Sequence, residues 1–182
     1  SFLGRQYCGN TNARGRQKLV IGPWAHNGAT RDGRCGELFY PDSAFPAAYG
    51  EARWFDFWLR GVSNGVDAQK AVAYYVMGDT LSKGAPGNVW RFVDTWPPKS
   101  VETPWYFGGG KLVRGGARAS ADADTFVFDP KDPCPTIGGR DLTIARGPMN
   151  QNPVESRHDF LRYDSEPLPA PVEVTGRVYA RL

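Results

Sequence analysis

The chain has 182 residues, of which 41% are hydrophobic and 23% charged, enough to bury a core and too apolar for a disordered segment. Its net charge of +3, spread over scattered arginines, gives no footprint for nucleic acid. No apolar run is long enough for a helix to span a bilayer, so neither nucleic acid nor membrane is an expected partner.

Arg5, Arg14 and Arg16 form the only basic cluster, which reads as a solvated loop. Lys18-Leu19-Val20-Ile21 is a short aliphatic run of the kind that forms a buried parallel strand, and Gly22-Pro23 stops it. The next residues deliver Trp24 and His26, one of two histidines in the chain, to a loop past the carboxyl end of that strand. Open α/β sheets place their chemistry there. His26 is therefore the candidate catalytic residue and Trp24 a candidate wall of a substrate pocket, with a loop histidine bonded to a backbone carbonyl as the plainer alternative.

Residues 47–60 place Trp54 with Trp58 and Phe55 with Leu59 at i,i+4 spacing, which predicts a helix that ends at Gly61. Gly61-Val62-Ser63-Asn64-Gly65 matches the G-x-S-x-G nucleophile pattern letter for letter. A nucleophile elbow needs a strand before the serine, whereas a helix precedes Ser63, so GVSNG reads as a helix exit. The small, polar stretch 63–69 then reads as an interdomain linker.

From Ala71 onward the pattern changes to short β-rich runs broken by Gly, Pro and Asp: AVAYYVM, VWRFV, PWYF, DTFVF, DFLRY and VEVTGRVYARL. Alternation of Val172, Val174, Val178 and Ala180 predicts a half-buried strand, and the set predicts a β-sandwich or jelly roll. Gly108-Gly109-Gly110 reads as a hairpin turn rather than a phosphate loop. Asp122, Asp124, Asp129 and Asp132 match no calcium-binding spacing and read as a solvated turn. Cys8, Cys35 and Cys134 contain no C-x-x-C pair for zinc. A Cys8–Cys35 disulfide and free thiols both stay open, and no metal or cofactor is expected. His158, among charged neighbours in ESRHDF, reads as a surface residue.

GPWAH resembles the G-P-W-x-H segment that carries the catalytic histidine of the cocaine-esterase-like and X-Pro dipeptidyl-peptidase hydrolases, the CocE/NonD group. WFDFWLRG, the 71–98 segment, DPKDPCPTIGG, GPMNQNPVESRHDFLRYDSEPL and VEVTGRVYARL follow in that family's order, so the resemblance runs from Lys18 to Leu182. It implies an α/β-hydrolase C-terminal piece over residues 1–65, with the histidine loop and the aromatic helix. An incomplete, galactose-binding-like jelly roll follows over 66–182, with closing strands beyond Leu182. It also implies a Ser-His-Asp mechanism in which His26 is the base, while serine and aspartate lie upstream of this chain.

The expected function is thus that of a piece of a serine hydrolase acting on a small ester, amide or peptide substrate. The piece alone is expected to be catalytically silent and prone to aggregate. The residues do not choose among X-Pro peptides, simple esters and amino-acid esters, and they give neither cellular location nor oligomeric state; a homo-oligomer stays open. The alternative is a non-catalytic jelly-roll module that binds carbohydrate or a partner subunit, against which stands KLVIGPWAH, a segment with no purpose in such a module.

Overall fold

The computed structural model describes residues 1–26, 32–115 and 123–182. Contacts divide the chain into two compact units, Ser1–Ser100 with Glu173–Leu182, and Val101–Val172.

The first unit is built on a three-stranded sheet of β1 (Leu19–Ile21), β4 (Val72–Val76) and β5 (Val89–Val93), in the order β1-β4-β5. β1 runs parallel to β4 with Leu19 opposite Val72 and Ile21 opposite Tyr74, and β5 returns antiparallel. The parallel partner of β1 therefore lies beyond residues 63–69 in the chain. A period of two sends successive β4 side chains to opposite faces, and both faces are covered. Ala71, Val72 and Tyr74 pack with Phe2, Leu19, Ile21 and Trp96, while Tyr75 packs with Cys35 and Tyr40. β4 is accordingly the buried strand, with Val72 and Ala73 at 0% exposure. β1, with one neighbour among the described strands, is only half-buried, not the fully buried strand that its apolar run predicts.

Around this sheet lie α1 (Phe2–Cys8), the short hairpin of β2 (Arg34–Cys35) and β3 (Leu38–Phe39), and a 3₁₀ turn (Ala47–Tyr49) leading into α2 (Glu51–Arg60). α2 stops at Gly61, whose φ of 67° is left-handed and whose backbone N–H closes on the Asp56 carbonyl. Beyond it the Asn64 amide donates to the Arg53 carbonyl and its oxygen accepts from the Val66 N–H. Ser63 is exposed on this helix exit, and the element directly before it is α2.

The second unit holds the antiparallel hairpin of β6 (Trp105–Gly108) and β7 (Lys111–Arg114). Gly108 pairs with Lys111, so Gly109 and Gly110 form the two-residue turn, with φ of 56° and 74°. Two successive positive φ angles are what a type I′ hairpin turn requires. The Leu112 N–H donates to the Asp164 carbonyl at 2.9 Å, and the short helix α3 (Asn152–Glu155) buries Val154.

The runs 124–128, 159–163 and 172–182 form no extended ladder, and 172–182 has no strand at all. Val174 and Val178 are 76% and 80% exposed. Alternation says which face of a strand would be buried; a ladder also needs a hydrogen-bonding partner, and none lies along 172–182 among the described residues.

Candidate functional site

The site begins where β1 ends. Gly22 is required by packing, because a Cβ there would meet the Trp24 ring at 2.5 Å; the indole folds back over the Gly22 backbone. Pro23 between them is buried. The Trp24 indole N–H donates to the Ser43 carbonyl at 3.0 Å, and its ring stacks on Phe45 at 5.6 Å and tilts against Trp90 at 5.7 Å. Ala25 packs against Cys35, Tyr40 and Tyr75, and its backbone hydrogen-bonds the Cys35 sulfur. Both residues before His26 are thus fixed to the body of the unit, and His26 itself is exposed. Residues 27–31, the start of the segment that follows, lie outside the described residues.

Below the loop is a nest of aromatic and polar groups. Tyr40, 1% exposed, meets Tyr75 edge-on at 5.8 Å, and Tyr75 meets Trp90 edge-on at 5.4 Å. The Trp90 indole N–H donates to the Asp42 carbonyl at 3.0 Å. The Tyr75 and Ser43 hydroxyls are buried without a hydrogen-bond partner among the described residues. Burial pushes the Tyr75 and Tyr40 phenols above their ordinary values, with the charges of Asp42 and Cys35 respectively adding to it. Burial likewise pushes the Cys35 thiol up, against the Ala25 hydrogen bond.

An open groove of about 490 Å³ lies between β1 and α2, lined by Lys18, Val20, Phe45, Tyr49, Trp54 and Phe55 among others. Phe45 and the α2 aromatics Trp54 and Phe55 therefore line this groove, and the Trp24 ring stacks on Phe45. The Lys18 ammonium donates to the Gln69 carbonyl. Burial holds its pKa below the ordinary lysine value, opposed by Asp67 and Asp94.

The remaining candidates separate. His158 is exposed. Cys8, Cys35 and Cys134 are all free thiols. Asp124 accepts from the Tyr163 hydroxyl at 2.7 Å, Asp129 accepts from the Lys131 N–H, and Asp132 pairs with Arg157; Asp122 lies outside the described residues. Among the described residues no three His, Cys, Asp or Glu side chains gather as a metal site would need. No described helix is long and apolar enough to cross a membrane. Sequence reading passed over Trp90, Ser43 and Asp42. Their signal, an indole on β5 and a polar pair after Tyr40, acquires meaning only once β5 is placed beside the loop.

Residues 64–182 match the family model of the X-Pro dipeptidyl-peptidase C-terminal non-catalytic domain. The chain belongs to this CocE/NonD, X-Pro dipeptidyl-peptidase C-terminal family. Among individual proteins, it is 36% identical over 181 residues to the cocaine esterase of Rhodococcus sp. (strain MB1 Bresler), covering 91% of this chain and 30% of that protein. Proteins of Mycobacterium bovis and Mycobacterium tuberculosis, each named "Putative serine esterase", are 28% identical over 172 residues, 90% of this chain and 25% of theirs. The chain thus spans between 25% and 30% of the length of these relatives. Its similarity is to esterases, and the matched family domain is a non-catalytic one with mostly β structure.

Proposed function

We propose that this chain is part of a serine hydrolase that cleaves ester or amide bonds of small substrates, with His26 as its general base. The observation that carries the reading is the placement of His26, exposed on an anchored loop at the carboxyl end of a parallel strand, in a chain 36% identical to an esterase. In this reading residues 1–65 end an α/β-hydrolase domain, and 66–182 belong to a galactose-binding-like jelly roll whose first strands extend the same sheet. Serine and aspartate come from segments preceding residue 1.

The reaction is acyl transfer. His26 takes the serine hydroxyl proton as the serine oxygen attacks the substrate carbonyl, then gives that proton to the departing alcohol or amine. A water molecule next loses its proton to His26 and attacks the acyl-enzyme carbonyl; the proton returns to the serine oxygen as the carboxylic acid leaves. Trp24 would wall the substrate pocket beside the histidine. The aspartate would hold the imidazole in the tautomer that accepts from serine.

The test uses the full-length protein with an aromatic acyl ester as substrate. His26→Ala should lower kcat by at least about 10³-fold while a fluorophosphonate still finds a serine outside residues 1–182 only slowly. Retention of activity by His26→Ala, or covalent labelling of Ser63, overturns the proposal. The match of residues 64–182 to a non-catalytic domain also supports a second role, in which that region binds carbohydrate or a partner subunit. Glycan-array binding by full-length protein that survives His26→Ala would favour that role beside the catalytic one.

A further inference from the structure

We propose that Trp90 is a positioning residue for His26, so that the region matched to a non-catalytic domain takes part in the reaction by fixing the loop that carries the base. The inference rests on the catalytic reading of His26. Three contacts meet at this one indole. It meets the ring of Trp24, two residues before His26, in a tilted contact at 5.7 Å. Its N–H holds the Asp42 carbonyl at 3.0 Å, one residue before the Ser43 carbonyl that accepts the Trp24 indole N–H. Its edge contact with Tyr75, its cross-strand partner, seats it on the most buried strand of the unit.

Trp90 therefore braces the Trp24 ring directly and also fixes the backbone to which that ring is hydrogen-bonded. A ring held on two sides and at its N–H leaves the Gly22–Ala25 backbone little freedom. The imidazole that follows inherits the same restraint. A base must lie within hydrogen-bond reach of its nucleophile, and a displacement of about 1 Å can lower the rate by about 10²-fold. The same β5 strand supplies an internal control. Phe92, two residues on, stacks on Tyr49 at 5.9 Å, and its ring is paired neither with Trp24 nor with Trp90.

The experiment compares Trp90→Ala, Trp90→Phe and Phe92→Ala in the full-length protein, with an aromatic acyl ester as substrate and 5-fluorotryptophan as a spectroscopic label. Trp90→Ala should lower kcat by about 10-fold to 100-fold with KM changed by less than about 2-fold, and should shift the Trp24 fluorine resonance, assigned through Trp24→Phe. Trp90→Phe, which keeps a ring against Trp24, should recover most of kcat, and Phe92→Ala should leave kcat within about 2-fold of the unsubstituted protein. Where Trp90→Ala fails to fold, Trp90→Leu takes its place, keeping bulk without the aromatic face or the N–H. Equal losses of kcat in Trp90→Ala and Phe92→Ala, or a Trp90→Ala enzyme with full kcat beside an inactive His26→Ala, overturn the positioning role alone. An active His26→Ala enzyme overturns the catalytic reading on which it rests.

Discussion

The Tyr74 hydroxyl donates to the Glu173 carboxylate at 3.1 Å, across 99 residues of sequence. Arg91 Nε donates to the other carboxylate oxygen at 3.1 Å, and the Thr175 hydroxyl adds a third bond at 3.0 Å. The 173–182 segment, which forms no strand, is thus tied to β4 and β5 by the Glu173 side chain.

Burial works against ionisation of Glu173, but the bonds from Thr175, Tyr74 and Arg91 outweigh it and hold the carboxyl below its ordinary value. A carboxyl with a depressed folded-state pKa contributes stability above its unfolded value, and that contribution is lost as pH falls through the folded one. Urea midpoints should therefore fall between about pH 5 and pH 3 more steeply in the unsubstituted chain than in Glu173→Gln. Tyr74→Phe should cost about 1 kcal/mol at pH 7 and should reduce the same pH dependence.

Gly22→Ala should displace the Trp24 ring from its place over the backbone. The Cβ contact of 2.5 Å leaves no alternative short of moving the indole away from Ser43. Overpacking of this kind costs about 1–3 kcal/mol. Trp24 indole N–H exchange, followed by NMR, should become faster, while the Gly109-Gly110 hairpin turn of the second unit should be unaffected.

Arg157 joins Asp132 and Asp159 in the second unit, with its Nε 2.6 Å from Asp159 and its terminal nitrogen 3.2 Å from Asp132. The Asp159 side chain is 5% exposed and that of Asp132 74%. Hydrogen bonds from Arg157 hold the Asp159 carboxyl below the usual carboxylate range, so its contribution to stability is present above that range and lost as pH falls through the depressed value. Arg157→Ala should destabilise the chain more than Asp132→Ala does, because only the first leaves a buried carboxylate without its partner. Thermal melts of the two variants at pH 7 would decide the order.

Cys8 and Cys134 are exposed and Cys35 is buried with its thiol pushed up. At pH 8 an aromatic disulfide reagent should modify two thiols rapidly and the third only on unfolding, because less thiolate and less access act together at Cys35. Rapid reaction of all three would contradict the packing of Cys35 under Ala25.

Local features were legible where local physics fixes them. The left-handed stop at Gly61 and the glycine pair of the β6–β7 turn need no distant partner. The pairing of β1 with β4 was not legible, since nothing in LVI or VAYYV names the other strand. For the same reason VEVTGRVYARL reads as a strand and forms none: period gives a face, not a neighbour. At the candidate site, His26 and Trp24 stand out in sequence, whereas Trp90, Asp42 and Ser43 join them only through the tertiary fold.

The parallel ladder from Leu19–Ile21 to Val72–Tyr74 crosses the polar linker that invites a cut at residue 65. Recombination at that linker would deliver one strand of the sheet without its neighbour, and a Trp24 without its matched indole. A chimera between two relatives should therefore inherit 18–26 and 71–93 from the same parent, which makes the histidine loop and the first β strands after the linker a single heritable piece.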